Sequence, residues 1–287
     1  MPPLPFTDQD VVVAFPEFAV DVPHVGTGVD KVAYRATRDA EVLALKILSG
    51  AVDDDADEFD DGLVTERFRR ELQGMADVEC PHIIRAVDEP QVRMIGSTNH
   101  VWYTEPFMIG GTLHQRLKSG PLTLPEVESL AVALLTAVDA MWSQGRIVHR
   151  DIKPKNIGFD GAGSPVLLDL GIALFTEMSD ITESSLTGPG SQFYAAPEQF
   201  LPKNRSTIDF RTDLFQIGIV LVEALTGAHP FRGAADYYRA LTNFDIASLG
   251  SVPITEHLRT AIPRLLAAHQ SRRFRTTAMA LASLGEV

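Results

Sequence analysis

The feature that most limits the fold of this chain is a change of hydrophobic period near residue 110. Upstream, residues 11–13, 18–22, 32–37, 42–48 and 100–104 are short β-prone runs set apart by Gly, Asp and Asn, the pattern of strands joined by tight turns. One segment there differs: over residues 65–75, Phe68, Leu72 and Met75 recur at helical spacing. Downstream the period lengthens. Thr123, followed three residues later by Glu126, predicts a capping box, and Val127, Leu130, Leu134, Val138 and Met141 then share one helical face up to Gly145. Residues 213–226 are apolar nearly all round, as a helix buried on every side must be, with Gly227 placed to cap its C-terminus. The pattern is that of an α+β chain in two parts, a small sheet with one packed helix and a larger helical body.

Charge and cysteine usage exclude several function classes. The 25 Lys and Arg against 38 Asp and Glu leave −13, which opposes attraction to nucleic acid or to an anionic membrane surface. Cys80 is the only cysteine, so neither an intrachain disulfide nor a multi-cysteine metal site can form, and a cytoplasmic location is expected. Residues 1–10 carry Pro2, Pro3 and Pro5 but no basic residue ahead of an apolar stretch, unlike a signal peptide. The apolar run at 217–222 is far shorter than the roughly 20 residues a membrane helix needs, so no membrane segment is expected in this chain. Residues 53–61 hold seven carboxylates in nine positions and read as a solvated acidic loop, or as a docking site for a basic partner.

Several residues carry candidate chemistry. Gly26-Thr27-Gly28 lies between two β-prone runs, where it makes either an ordinary hairpin turn or a backbone cradle for phosphate oxygens. Lys46 interrupts the apolar run Ala44-Leu45-Lys46-Ile47. It either faces water at a sheet edge or has a buried carboxylate partner, for which Glu71 on the following helix is the candidate. The most specific segment is His149-Arg150-Asp151-Ile152-Lys153-Pro154-Lys155-Asn156, followed by Asp169-Leu170-Gly171 after residues 157–168, whose Asp160-Gly161 and Gly163 suit a β-hairpin.

These motifs resemble the catalytic loop and metal-binding segment of protein kinases, H-R-D-x-K-x-x-N and D-F-G. The resemblance runs in family order from the glycine loop through Lys46, Glu71, Asp151 and Asp169 to Ala196-Pro197-Glu198, and is closest to bacterial serine/threonine kinases. It implies the bilobal kinase fold, with a β-rich N-lobe over 1–104 carrying the glycine loop, Lys46 and Glu71, a hinge over 105–111 and a mostly helical C-lobe over 112–287. It implies transfer of the ATP γ-phosphate to serine or threonine hydroxyls of protein substrates, with Mg²⁺ or Mn²⁺. Asp151 would orient the acceptor hydroxyl or take its proton, Lys153 would neutralise the moving phosphoryl group, and Asn156 and Asp169 would hold the metal. Gly26, Gly28, Lys46 and its partner Glu71 would hold the phosphates, and Ala33, Ala44, Pro106 and Met108 would line the adenine site. Lys153 and Ser191 match the serine/threonine branch. Arg273 would pair with Glu198, and Asp213 would hold the fold. Thr182, Ser184, Ser185 and Thr187 would be autophosphorylation sites facing Arg150, with a second copy of the chain as partner.

The chain departs from the family at five places. Lys31 replaces the third glycine of the phosphate loop, and Leu170 the phenylalanine of D-F-G. The gatekeeper position falls on Glu105 or, with a one-residue slip, on Thr104. Ala33 and Gly158 stand where the family keeps larger apolar residues, which predicts a thin adenine sandwich and ATP affinity below the family's usual level. The alternative reading is a pseudokinase or nucleotide-binding regulatory module with weak or no transfer.

Overall fold

The computed structural model describes residues 4–28, 31–50, 78–169, 174–175, 191–200 and 208–285. It divides into two units, Met1–Ala76 with Ile84–Met108, and Asp77–Ile83 with Ile109–Val287.

The first unit is built on an antiparallel sheet of β1 (Ala19–Val20), β2 (Gly26–Thr27), β3 (Lys31–Arg38), β4 (Glu41–Leu48), β5 (Asp88–Ile95) and β6 (Thr98–Pro106). The strand order is β1-β3-β4-β6-β5, with β2 also paired to β3. Alternation along the strands sends Val32, Tyr34 and Ala36 of β3 and Leu43, Leu45 and Ile47 of β4 to one face, all fully buried. Helix α1 (Asp8–Ala14) packs on that face through Val11, and Phe6, Phe15, Phe18 and Trp102 complete the apolar cluster.

Helix α1 corrects the β-prone reading of residues 11–13. Thr7 Oγ1 accepts from the Asp10 amide and the Asp10 carboxylate accepts from the Thr7 amide, a reciprocal capping box. That box starts the helix, and burial of Val11 and Phe15 outweighs the modest helix penalty of three valines, each a few tenths of a kcal/mol. Tyr34 of β3 donates to Asp8 at 2.7 Å, tying the first turn of α1 to the sheet. Arg93 of β5 holds the other end, donating to the Ala14 carbonyl at 3.0 Å with its guanidinium over the Phe15 and Trp102 rings.

Strand β5 has no counterpart among the β-prone runs, because Asp88-Glu89-Pro90-Gln91 reads as a loop. The ladder to β6 shifts register between Asp88 and Gln91, and this irregularity at a sheet edge accommodates Pro90, which cannot donate to a ladder. The expected helix at 65–75 and the acidic stretch 53–61 lie outside the described residues.

In the second unit α2 (Leu113–Leu117) and α3 (Leu124–Gly145) precede β7 (Ile147–Val148), the hairpin β8 (Ile157–Phe159) and β9 (Pro165–Leu167), and β10 (Leu174–Phe175), which pairs with β7. Helices α4 (Phe210–Thr226), α5 (Tyr237–Thr242), α6 (Glu256–Leu265) and α7 (Thr277–Ala282) follow. At the start of α3 the Glu126 carboxylate accepts from the Thr123 amide at 2.8 Å and from its hydroxyl at 2.6 Å. Helix α4 is buried on almost every side, as its composition predicts, and ends at Gly227 with φ 73°. It packs against α3 and α6. Gly218 permits the α6 contact, since a Cβ there would lie 2.7 Å from Leu266 Cγ. Arg273 and Glu198 form the expected buried ion pair at 2.7 Å. Among the described residues no helix is long and apolar enough to cross a membrane.

Candidate active site

The second unit gathers Asp151, Lys153 and Asn156 around one carboxylate. Asp151 Oδ2 accepts from Lys153 Nζ at 2.6 Å and from Asn156 Nδ2 at 3.0 Å, and the same Asn156 nitrogen donates to the Asp151 carbonyl at 2.9 Å. A single 3₁₀ turn, Pro154–Asn156, brings Asn156 back over Asp151, and Pro154 at its first position supplies the preset φ.

What fixes this loop is the buried start of α4. The Asp213 carboxylate accepts from the amides of His149 at 2.9 Å and Arg150 at 2.8 Å. One turn on, Gln216 accepts from the Ile152 amide at 2.8 Å and donates to the Arg150 carbonyl at 2.7 Å. Gln199 also donates to that carbonyl, at 3.1 Å. Five side-chain bonds, three to the amides at 149, 150 and 152 and two to the Arg150 carbonyl, hold Arg150 in the left-handed region at φ 67°, a conformation that costs a non-glycine residue about 1 kcal/mol or more. Sequence reasoning assigns Asp213 a structural role but overlooks Gln216 and Gln199. Gln216 is a polar residue on a wholly buried helix, which by itself signals a buried acceptor or donor to be satisfied.

His149 links the loop to the residue before Asp169. Burial holds its imidazole pKa below the usual range, so the ring is neutral. Its Nε2 donates to the Leu168 carbonyl at 3.1 Å while Nδ1 accepts from the Asp151 amide at 3.3 Å. The Leu168 amide in turn donates to the Asn156 carbonyl at 2.8 Å. Asp169 follows with φ 65°, a second non-glycine residue in the left-handed region.

Complete burial pushes the Asp213 carboxyl up from 3.8 to about 7, against the stabilising amides of Arg150 and His149. Between those two values the folded chain keeps a proton that the unfolded chain has released. The stability this carboxyl contributes is therefore full below pH 3.8 and is lost as pH rises through about 7. The difference in unfolding free energy between wild type and Asp213→Asn, measured by urea titration, is expected to shrink across that window and level off above it. A difference independent of pH would show that Asp213 is ionised throughout.

The first unit carries the other candidate residues. Ala33, Ala44, Lys46, Tyr103 and Glu105 share the sheet face opposite α1, with Lys46 directly across from Ala33 and Tyr103, and Ala44 across from Glu105. Lys46 Nζ lies 2.6 Å from Glu105 Oε2. Gly26 pairs with Ala33, and the Gly28 amide donates to the Lys31 carbonyl at 2.7 Å, closing a hairpin. Pro106 ends β6 and the Phe107 amide donates to the Val42 carbonyl, with Met108 the last residue of the unit. Gly158 lies within β8. Glu71, Leu170, Thr182, Ser184, Ser185 and Thr187 lie outside the described residues.

An antiparallel sheet unit bearing a lysine on a central strand, and a helical unit bearing a pinned Asp-Lys-Asn loop ahead of a β-hairpin and Asp169, together define a protein kinase catalytic domain. The family model for the protein kinase domain matches residues 20–281, and the chain belongs to that family. Among similar proteins, the probable serine/threonine-protein kinase PknB of Lactococcus lactis subsp. lactis is 30% identical over 226 residues, 78% of this chain and 33% of the relative. The probable serine/threonine-protein kinase PknB of Bifidobacterium longum is 33% identical over 204 residues, 69% of this chain and 28% of the relative. The serine/threonine-protein kinase PknH of Mycobacterium bovis is 31% identical over 214 residues, 74% of this chain and 33% of the relative. The chain thus spans about a third of the length of the curated relatives it matches.

Proposed function

We propose that this chain transfers the γ-phosphate of ATP to serine and threonine hydroxyls of protein substrates. The observation that carries the reading is the Asp151 carboxylate, bonded at once by Lys153 and Asn156 on a loop pinned by Asp213. The acceptor oxygen attacks the γ-phosphorus as the bond to the β-phosphate oxygen breaks and ADP leaves, and Asp151 takes the hydroxyl proton. Lys153, already on Asp151, balances charge on the transferring group. Lys46 and the glycines of the β2–β3 hairpin serve the ATP phosphates, with Ala33 and Ala44 facing the adenine.

The donors fit magnesium, a hard cation that takes oxygen ligands. The Asn156 amide nitrogen is spent on Asp151, which leaves its amide oxygen for other use, and the bonds at Leu168 hold the backbone directly before Asp169. These two side chains would hold the ion, which when bound neutralises phosphate charge. Selectivity for serine and threonine is supported by Lys153 and by the names of the similar proteins. A cytoplasmic site of action, where ATP is supplied, and autophosphorylation by a second copy belong to the same reading.

The test is incubation of the purified protein with labelled ATP, magnesium and a generic protein acceptor, followed by phosphoamino-acid analysis. Label on serine and threonine is the expected result; no ATP-dependent incorporation, or label confined to tyrosine, overturns the proposal.

A further inference from the structure

The resemblance assigns Lys46 a carboxylate partner on the helix expected at 65–75, yet the sheet supplies one of its own. Glu105 Oε2 stands 2.6 Å from Lys46 Nζ, and the two side chains are 3% and 12% exposed. They belong to adjacent strands: Lys46 opposes Tyr103 and Glu105 opposes Ala44, so the pair bridges a diagonal on one face. The Tyr103 ring lies 5.7 Å from Nζ and closes that side of the ammonium. Glu105 Oε1 is buried with no hydrogen-bond partner among the described residues. A buried carboxylate with one oxygen unsatisfied is costly and is tolerated where a cation is bound tightly to the other.

We propose that Glu105 is a positioning residue, a second carboxylate anchor that fixes the Lys46 ammonium on the sheet itself and so sets the affinity for the phosphates of ATP. The inference rests on the kinase reading above. β4 and β6 pair from Leu43 opposite Pro106 to Ile47 opposite Trp102, so the anchor is part of the ladder and does not depend on the placement of any helix. An ammonium has three N–H donors, and bonding to Glu105 leaves its charge able to meet phosphate oxygens while limiting the directions in which it points. A chain with an apolar residue at 105 would give Lys46 no such constraint.

The test is calorimetric titration of Mg-ATP into the whole chain as wild type, Glu105→Gln, Glu105→Asp, Lys46→Met and the double variant Lys46→Met/Glu105→Gln, with thermal unfolding of each in the absence of nucleotide. Glu105→Gln keeps the shape and removes the charge, and is expected to raise the Kd for Mg-ATP about tenfold, with Glu105→Asp intermediate at about threefold. In the Lys46→Met background the same Gln substitution is expected to change Kd by less than about twofold, because the effect runs through the ammonium. If Glu105→Gln does not fold, Glu105→Asp with and without Lys46→Met carries the same cycle.

A melting temperature that falls while Kd stays at the wild-type value would assign Glu105 to the scaffold alone and overturn the inference. So would an equal loss of affinity in the Lys46→Met background. Tighter binding by Glu105→Gln would make Glu105 a restraint that competes with phosphate, again against the proposal. A wild type that does not bind Mg-ATP overturns this inference and the kinase reading together. A wild type that binds and transfers phosphate beside a neutral Glu105→Gln removes this inference only.

Discussion

Asp151→Asn is expected to slow phosphoryl transfer by about a thousandfold or more, within the range found for removal of a positioned general base, while ATP affinity and the unfolding midpoint stay near wild type. Asn has the shape of Asp, and its amide oxygen still accepts from Lys153 or Asn156, which both donate to Oδ2 in the wild type. The loop amides at 149, 150 and 152 are held by Asp213 and Gln216, not by Asp151, so the backbone keeps its course. What is lost is the anionic acceptor for the hydroxyl proton and half of the ion pair that places Lys153. Single-turnover rates with a serine peptide, beside a nucleotide titration, separate these effects. Turnover within tenfold of wild type would remove Asp151 from the reaction.

The second large effect concerns stability. Arg273 is 1% exposed and every face of its guanidinium is used. Nη1 and Nη2 donate to the two oxygens of Glu198 at 2.7 and 2.9 Å, Nε donates to the Ala267 carbonyl at 2.8 Å, and the carbonyls of Arg211 and Ala268 take the remaining N–H groups. Arg273→Met matches the aliphatic stem but leaves the Glu198 carboxylate with only the Thr212 hydroxyl and the Gln270 amide among these partners. Breaking a buried pair on one side costs about 3–5 kcal/mol, a large share of the 5–15 kcal/mol that typically holds a domain together. Denaturant unfolding should show that loss. Glu198→Gln combined with Arg273→Met should lose less than the sum of the two, because the stranded charge is gone. Arg273→Lys should rescue little, since an ammonium cannot span two carboxylate oxygens and three carbonyls.

How much of this could be read from the chain depends on how far apart the cooperating residues lie. Asp151, Lys153 and Asn156 fall within six consecutive positions, so a single 3₁₀ turn is enough to fold together residues whose roles the resemblance to the kinase catalytic loop implies. The long helices α3 and α4 likewise follow from periodicity, with the Thr123–Glu126 box and the Gly227 cap, whereas the Asp209 cap that starts α4 three residues earlier, at Phe210, and the left-handed Arg146 that ends α3 do not. The Lys46–Glu105 pair does not, because it needs the β4–β6 register, and a one-residue slip would send Thr104 to that face in place of Glu105. The strand register settles that choice in favour of Glu105, while the Thr104 hydroxyl donates to Asp88 on β5. Residues 11–13 mislead for a different reason: β-branched composition is a weak local preference, and the Thr7–Asp10 capping box together with burial of Val11 and Phe15 overrides it. Gln216 hides in an apolar run whose period says only that the helix is buried.

Helix α1 has a further consequence. The family match opens at residue 20, yet Phe6, Val11, Phe15 and Phe18 are interior residues of the same cluster as Val32, Leu45 and Trp102. The boundary of kinship and the boundary of cooperative folding therefore do not coincide in this chain. A piece cut at the start of the homologous region would open the outer face of β3 and β4 to water as a continuous apolar surface, a template for self-association. Trp102, which stacks edge-on against Phe15, stands three residues before Glu105 on β6, so the sheet that carries Lys46 and its carboxylate is shaped in part by residues that precede the family match.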